Sequence, residues 1–343
     1  MVGITAIKKG TLRMKRIVIL IMFAMVFTGC GTFHSQSSDN RKPERSSVFL
    51  QSWRDGMAKE QIVSFVEDVT IEGLTNFVPK AQRRAFFDMD GTLFCEKPNY
   101  IEVALAQHRL LEKAKGDPAL ADNPIYKAIL GGDSDYLNKN VKAVITEAFA
   151  GETLSYYIDY CRNFLKTQKH PRFNRSYGSL FYLPMLELIK YLQDNGFIVY
   201  VVSTSQQEFI RSISEDQIGI QPQHIIGTMV GFTLANLKGD APPIFVRDRS
   251  YFDPYNADDN KVVRIRERAL LPAMFAFGNS MGDYAMLDAT SDSQLPSLVC
   301  ILDHDDAERE YEYHKKTLLK EAQSRGWLVV SMNKDSRRVF ANE

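Results

Sequence analysis

The chain has 343 residues, 45% apolar and 24% charged, which is the composition of a globular protein with one large domain or two ordinary ones. Its formal net charge is zero, yet five basic residues (Lys8, Lys9, Arg13, Lys15 and Arg16) crowd into an N-terminal stretch without an acid. The rest of the chain carries 37 basic against 42 acidic residues, a net of −5. That balance argues against a nucleic-acid partner, which requires a basic face.

In chain order, "MKR" at Met14 to Arg16 precedes an apolar run from Ile17 to Phe27, then "TGCG". Eleven apolar residues are too few to cross a bilayer, which takes ~20, but they suit the core of a signal peptide starting at Met14. Thr28 and Gly29 before Cys30 resemble a bacterial lipoprotein cleavage box. The resemblance implies that residues 1–29 are removed and that Cys30 is acylated, holding the protein to a membrane surface. The expected location is extracytoplasmic, on the periplasmic side. Gly31 offers no inner-membrane retention signal, which favours the outer membrane. Residues 30–48 are polar and aperiodic and read as a flexible tether. Cys95, Cys161 and Cys300 remain, an odd number with no zinc-ligand spacing, and read as small core residues.

Order is expected to begin near Ser52. Ile62, Val63, Phe65, Val66 and Val69 fall on one helical face. Five short apolar runs then read as strands: Ala85–Asp88, Phe197–Ser205, Ala273–Ser280, Ser297–Asp303 and Trp327–Met332. Their character is continuous, not alternating, so both faces should be covered. Helical patterns separate most of them. The expected fold is α/β, a Rossmann-like parallel sheet with helices on both faces. Residues 49–96 and 182–343 form that core in this reading. The segment 97–181, helical in pattern at Ile101–Gly116 and again near Leu154–Leu165, reads as a cap domain inserted after the first strand.

Three strands end in reactive polar residues. The first ends in Asp88, with Asp90 two residues on; the second reaches Ser203 and Thr204; the third ends in Asn279, with Asp283 four residues beyond. In an open parallel sheet, ligands bind beyond the carboxyl ends of the strands, so these residues should converge. Lys261 opens the helix before the third strand, and that end faces the same edge. Two carboxylates, an amide or further carboxylate, and water make an oxygen-rich site suited to Mg²⁺. An aspartate can attack phosphorus once the phosphoryl charge is neutralised, and Mg²⁺, Lys261 and Ser203 would do that. Asp90 could protonate the leaving oxygen and then activate water.

"DMDGT" after an apolar strand, Ser203 at a strand end, Lys261 and "GNSMGDYAML" resemble the haloacid dehalogenase-like hydrolases in their phosphatase branch. Flanking stretches such as "DGTLFCEKPNY" and "SRGWLVVSM" point to an exported bacterial group, and the likeness runs from about Ser52 to Phe340. It implies Asp88 as nucleophile and metal ligand, Asp90 as general acid/base and as a ligand through its main-chain carbonyl, and Ser203 and Lys261 as phosphate-holding residues. Asn279 and Asp283 would complete the metal set. Asn279 stands where many members have aspartate, which brings an oxygen but no charge. The implied activity is Mg²⁺-dependent hydrolysis of small phosphate monoesters through an aspartyl-phosphate. A phosphotransferase or mutase on the same core, or a binding lipoprotein with a weakened site, are the alternatives.

Some features carry weaker readings. Lys238 competes with Lys261 for the phosphate role, but lies 41 residues before Asn279 against 18 for Lys261. "KHPRFNR" (Lys169–Arg175) either touches an anionic substrate or is a solvated loop. "HDDAERE" (His304–Glu310) reads as the cap of the following helix and less readily as a second metal site. The tyrosines of "YIDYC" and "YEYH" read as helix-face packing.

Overall fold

A computed structural model describes residues 50–236, 242–251, 254–270 and 272–341. The signal peptide, Cys30, the tether and Lys238 lie outside the described residues. Six parallel strands form the central sheet: β1 (Arg84–Phe87), β2 (Ile198–Gln206), β3 (Ile225–Thr228), β6 (Phe275–Gly278), β7 (Leu298–Asp303) and β8 (Leu328–Ser331). Their order is β3-β2-β1-β6-β7-β8. A separate antiparallel hairpin pairs β4 (Val230–Ala235) with β5 (Ile244–Tyr251). The expected α/β class is what the chain adopts. All five anticipated strands are present, and β3, β4 and β5 are additional.

β1 lies at the centre because its short run is buried throughout: Ala85, Phe86 and Phe87 have no solvent exposure. Phe87 pairs in register with Val201 of β2 on one side and Phe277 of β6 on the other. Its ring stacks on Phe277 at 5.9 Å and on Phe275 at 5.6 Å. With the three strands in register, the turns after β1, β2 and β6 meet at one edge of the sheet. Cys95, Cys161 and Cys300 are buried and unpaired.

Between β1 and β2 the chain is helical: Ile101–Gly116, Pro124–Gly131, Ser134–Lys139, Val141–Phe149 and Leu154–Thr167 are α-helices. The hairpin belongs with this insertion in space. Thr153 bridges Val246, the Gly151 amide donates to the Arg247 carbonyl at 2.8 Å, and the Arg247 amide donates to the Glu152 carbonyl at 2.9 Å. Arg247 itself is buried, its guanidinium 3.7 Å from the centre of the Tyr157 ring. None of the described helices is long and apolar enough to cross a membrane.

At the start of the described residues the chain is already packed into the body, with Leu50 fully buried. Trp53 is fully buried and its indole nitrogen donates to the Pro184 carbonyl at 2.9 Å. The Ser52 amide and hydroxyl both donate to Glu187 Oε2, at 2.8 and 2.6 Å. Replacing Trp53 by alanine removes a large buried side chain, for which losses of about 3–5 kcal/mol are usual. Urea denaturation of W53A should show a loss in that range, whereas a loss below about 1 kcal/mol would mean that this segment is a loosely attached leader.

Candidate active site

The carboxyl edge of the sheet carries a cavity of about 590 Å³, lined among others by Asp88, Asp90, Glu102, Ser203, Ser205, Lys261 and Asp283. At its base lies a buried ion cluster. Lys261 Nζ donates to Asp88 Oδ1 at 2.7 Å, to Asp283 Oδ1 at 2.6 Å and to the Val202 carbonyl at 3.1 Å. The sequence brings them there by three routes. Asp88 follows β1, and its amide donates to the Phe277 carbonyl of β6 at 3.0 Å. Lys261 sits in the first turn of the helix Asp259–Arg268. Asp283 closes a capping box with Ser280 in the turn after β6, its Oδ2 accepting from the amides of Asn279 and Ser280 at 3.0 and 2.9 Å.

Burial, then the nearby Asp283 charge, pushes Asp88 well above the usual carboxylate range. Burial alone would lower the lysine, but Asp283 and Asp88 outweigh it and keep the ammonium protonated. Asp88 Oδ2 is the freer oxygen, with only the Thr92 hydroxyl near it at 3.4 Å.

Asp90 stands beside this cluster. Its Oδ2 accepts from the Ser205 hydroxyl at 2.7 Å, while Oδ1 is buried without a hydrogen-bond partner. Burial pushes its carboxyl up to about 6, against the opposing Ser205 hydrogen bond. Ser203 Oγ accepts from the Ser205 amide at 3.1 Å, which leaves its own proton to donate. Asn279 is buried with both amide atoms unpartnered. Gly91 makes room for it: at φ 83° the backbone is left-handed, and an added Cβ would lie 1.8 Å from Asn279 Nδ2. All six residues expected from the sequence thus come to one edge.

The cavity lining holds five carboxylates, Asp88, Asp90, Glu96, Glu102 and Asp283, against two lysines, Lys97 and Lys261. The orphaned amide oxygen of Asn279, in surroundings rich in carboxyl groups, fits a hard divalent cation. Asp283 has both oxygens engaged, one by Lys261 and one by its own turn. Among the described residues, this site included, no group of three or more His, Cys, Asp or Glu stands in metal-holding geometry.

Several residues in and around the site have no motif. Ser205 and Gln206, consecutive at the end of β2, hold Asp90 and Glu102 respectively, the Gln206 amide donating to Glu102 Oε2 at 3.0 Å. Asn256 Nδ2 donates to the carbonyls of Ser203 (2.7 Å) and Ile226 (3.0 Å), tying the chain before the Lys261 helix to β2 and β3. Glu102 was detectable as an acid within the apolar stripe that holds Ile101 and Leu105. Ser205, Gln206 and Asn256 give no comparable signal.

The stretch His304–Glu310 is a correction. The next α-helix starts only at Lys316, so these residues do not cap it. His304 is buried and braces the motif loop, with Nε2 at 2.8 Å from the Gly91 carbonyl and Nδ1 at 2.8 Å from Glu310 Oε1. Tyr182 donates to the other Glu310 oxygen at 2.6 Å. Tyr313 likewise packs outside any helix, stacked on His304 at 4.3 Å. The Lys169–Arg175 stretch does not line the cavity. Arg172 donates to the Ala307 carbonyl at 2.6 Å and stacks on Tyr311, joining two parts of the body.

The Asp90 environment sets a pH signature. Its folded value lies above the ordinary 3.8, so the folded protein keeps a proton that the unfolded chain gives up. The stability it confers is present below pH 3.8 and is lost as pH rises through about 6. In EDTA, Asp90→Asn should therefore be about 2–3 kcal/mol more stable than wild type near pH 8, and similar to it near pH 4. Urea melts at both pH values measure this, and a pH-independent difference would contradict the assignment.

Gly91→Ala should lower the melting temperature and loosen Asn279, because both the positive φ and the close approach forbid a side chain. A circular-dichroism melt unchanged from wild type would contradict that reading.

Comparisons with known proteins bear on the family and the fold. A family model described as haloacid dehalogenase-like hydrolase matches residues 85–288, more than half of the chain. A conserved functionally unknown protein from Anaerococcus prevotii DSM 20548 superposes with a TM-score of 0.50 at 16% identity, over 79% of this chain and 90% of that one. A protein of unknown function from Bordetella pertussis Tohama I gives 0.48 at 16% identity, over 73% and 98%. A phosphoserine phosphohydrolase-like protein from Francisella tularensis subsp. tularensis SCHU S4 gives 0.40 at 15%, over 74% and 96%. Structural likeness at such identities speaks to the fold alone. No curated protein matches the sequence. With its motif residues gathered at the edge of a six-stranded parallel sheet, and the family model spanning β1 into the helix Tyr284–Ser291 that follows β6, the chain belongs to the haloacid dehalogenase-like hydrolases.

Proposed function

We propose that the protein is a Mg²⁺-dependent phosphatase acting on small phosphate monoesters through a covalent aspartyl-phosphate. The observation that carries this reading is the freer oxygen of Asp88 in the lining of a cavity whose base holds one lysine among several carboxyl groups. Asp88 Oδ2 attacks phosphorus as the bond from phosphorus to the ester oxygen breaks, and the protonated Asp90 carboxyl gives its proton to that oxygen. Asp90, held near the ordinary pH of reaction by burial, is then a carboxylate that takes a proton from water. The water oxygen attacks phosphorus, inorganic phosphate leaves, and Asp88 is regenerated. Ser203 donates to a phosphoryl oxygen, and Lys261 faces it with positive charge.

A divalent ion would be held by Asp88, Asp90, Asn279 and Asp283, and the chemistry it supplies is neutralisation of the phosphoryl charge. Asp283 would join that set by giving up part of its contact with Lys261. Within this reading the helical insertion, residues 97–181, acts with the β4–β5 hairpin as a cap over the cavity. The chain is held outside the cytoplasm by acylated Cys30.

Hydrolysis of 4-nitrophenyl phosphate tests the proposal. Wild type with Mg²⁺ should turn over, EDTA should stop it, and Asp88→Asn should lose at least about a thousand-fold in kcat. Equal rates from wild type and Asp88→Asn would refute the nucleophile and the phosphatase reading with it.

A further inference from the structure

We infer that the cavity is built for a phosphate ester whose leaving group carries an ammonium, received by Glu102; this deepens the phosphatase reading and rests on it. Glu102 belongs to the helix Ile101–Gly116, is 4% exposed, and lines the same cavity as Asp88 and Asp90. One of its oxygens accepts from the Gln206 amide, and the other, Oε1, is buried with no hydrogen-bond partner. Its holder on β2 is the residue next to Ser205, which holds Asp90. Asp90, which serves the ester oxygen, is close enough to Glu102 to act on its charge, so Glu102 belongs to the part of the lining that the leaving group can meet. A lining carboxyl group that keeps one buried oxygen without a partner asks for a donor, and a cationic donor returns the most.

The charges around it favour a cation over an anion. Five carboxyl groups line the cavity against two lysines, and both lysines are already engaged; burial pushes Glu102 up to about 8, so a ligand cation beside it would favour its charged form. Lys261 is locked between Asp88 and Asp283. Lys97 lies 3.8 Å from Glu96 and over the Tyr313 ring. Arg247, the buried cation whose field reaches Glu102, donates instead to Gln206 Oε1 and covers Tyr157, with no hydrogen bond to Glu102 among the described contacts. Tyr100 also lines the cavity, and aromatic faces attract cations; Tyr255, lining it too, already carries Lys142 at 4.1 Å from its ring centre. A leaving group bearing a carboxylate or second phosphate would meet only repulsion here.

The test compares kcat/KM for four monoesters with the purified protein and Mg²⁺. They are O-phosphoethanolamine, propyl phosphate (methyl in place of ammonium), 2-hydroxyethyl phosphate and 2-phosphoglycolate. Wild type should prefer the ammonium ester to the propyl ester by more than about tenfold and should use the carboxylate ester least. In Glu102→Gln the ammonium preference should collapse to within about threefold, whereas Glu102→Asp should keep part of it. Ratios between substrates cancel any loss of folded enzyme, and the wild-type ratio decides the matter even if a variant fails to fold. Equal use of ammonium and propyl esters, preference for the hydroxyl ester, or a preference that survives in Glu102→Gln overturns the inference and leaves the phosphatase reading standing. Hydrolysis of none of the four, nor of 4-nitrophenyl phosphate, overturns both.

Discussion

One ammonium set between two buried carboxylates is the constraint on which this structure turns. Lys261 reaches Asp88 and Asp283 at 2.7 and 2.6 Å in a place almost without solvent. Burying three charges is expensive, and their attraction repays that cost only when geometry and further hydrogen bonds are good. Here Val202 supplies the third acceptor for the lysine, and the turn after β6 satisfies the far oxygen of Asp283. The arrangement still leaves the edge with more negative charge than it can balance, since Asp90, Glu96 and Glu102 share the same cavity. That excess of carboxyl groups over cations is the observation on which both the proposed divalent cation and the proposed cationic ligand group rest.

The sheet makes the cluster possible. A parallel sheet points all its strand ends one way, and β1 between β2 and β6 places Asp88 between the Ser203–Gln206 end of β2 and the Asn279–Asp283 turn. The supports lie one layer out. Asn256 holds the ends of β2 and β3, while His304, backed by Glu310 and Tyr182, holds the carbonyl of Gly91. These contacts fix backbone, and through it the side chains that do chemistry, which is how a strand-end loop becomes a rigid site.

Much of this was legible in the sequence, for a physical reason. Continuous apolar runs declare buried parallel strands, and polar residues at their carboxyl ends declare the site, so Asp88, Ser203 and Asn279 could be placed together before any coordinates. Lys261 and Asp283 followed from helix and turn direction. The hairpin was not legible, because "TLA" and "FVRDRSY" mix exposed and buried positions and alternate too briefly, and its strands depend on the insertion helices for their register. Glu102 left only one signal, an acid inside the apolar stripe of Ile101 and Leu105. His304 was misread because a histidine followed by acids looks like a helix start, whereas its partners are Gly91, 213 residues away, and Glu310. Contacts that distant leave no local pattern.

If the excess negative charge around Lys261 is a binding site for one divalent cation, calorimetric titration of Mg²⁺ into metal-free protein tests it most directly. One ion should bind per chain, with affinity reduced at least about tenfold in Asn279→Ala, which removes an orphaned buried oxygen. A wild-type titration with no binding heat, together with no rise in melting temperature at millimolar Mg²⁺, would contradict that central claim.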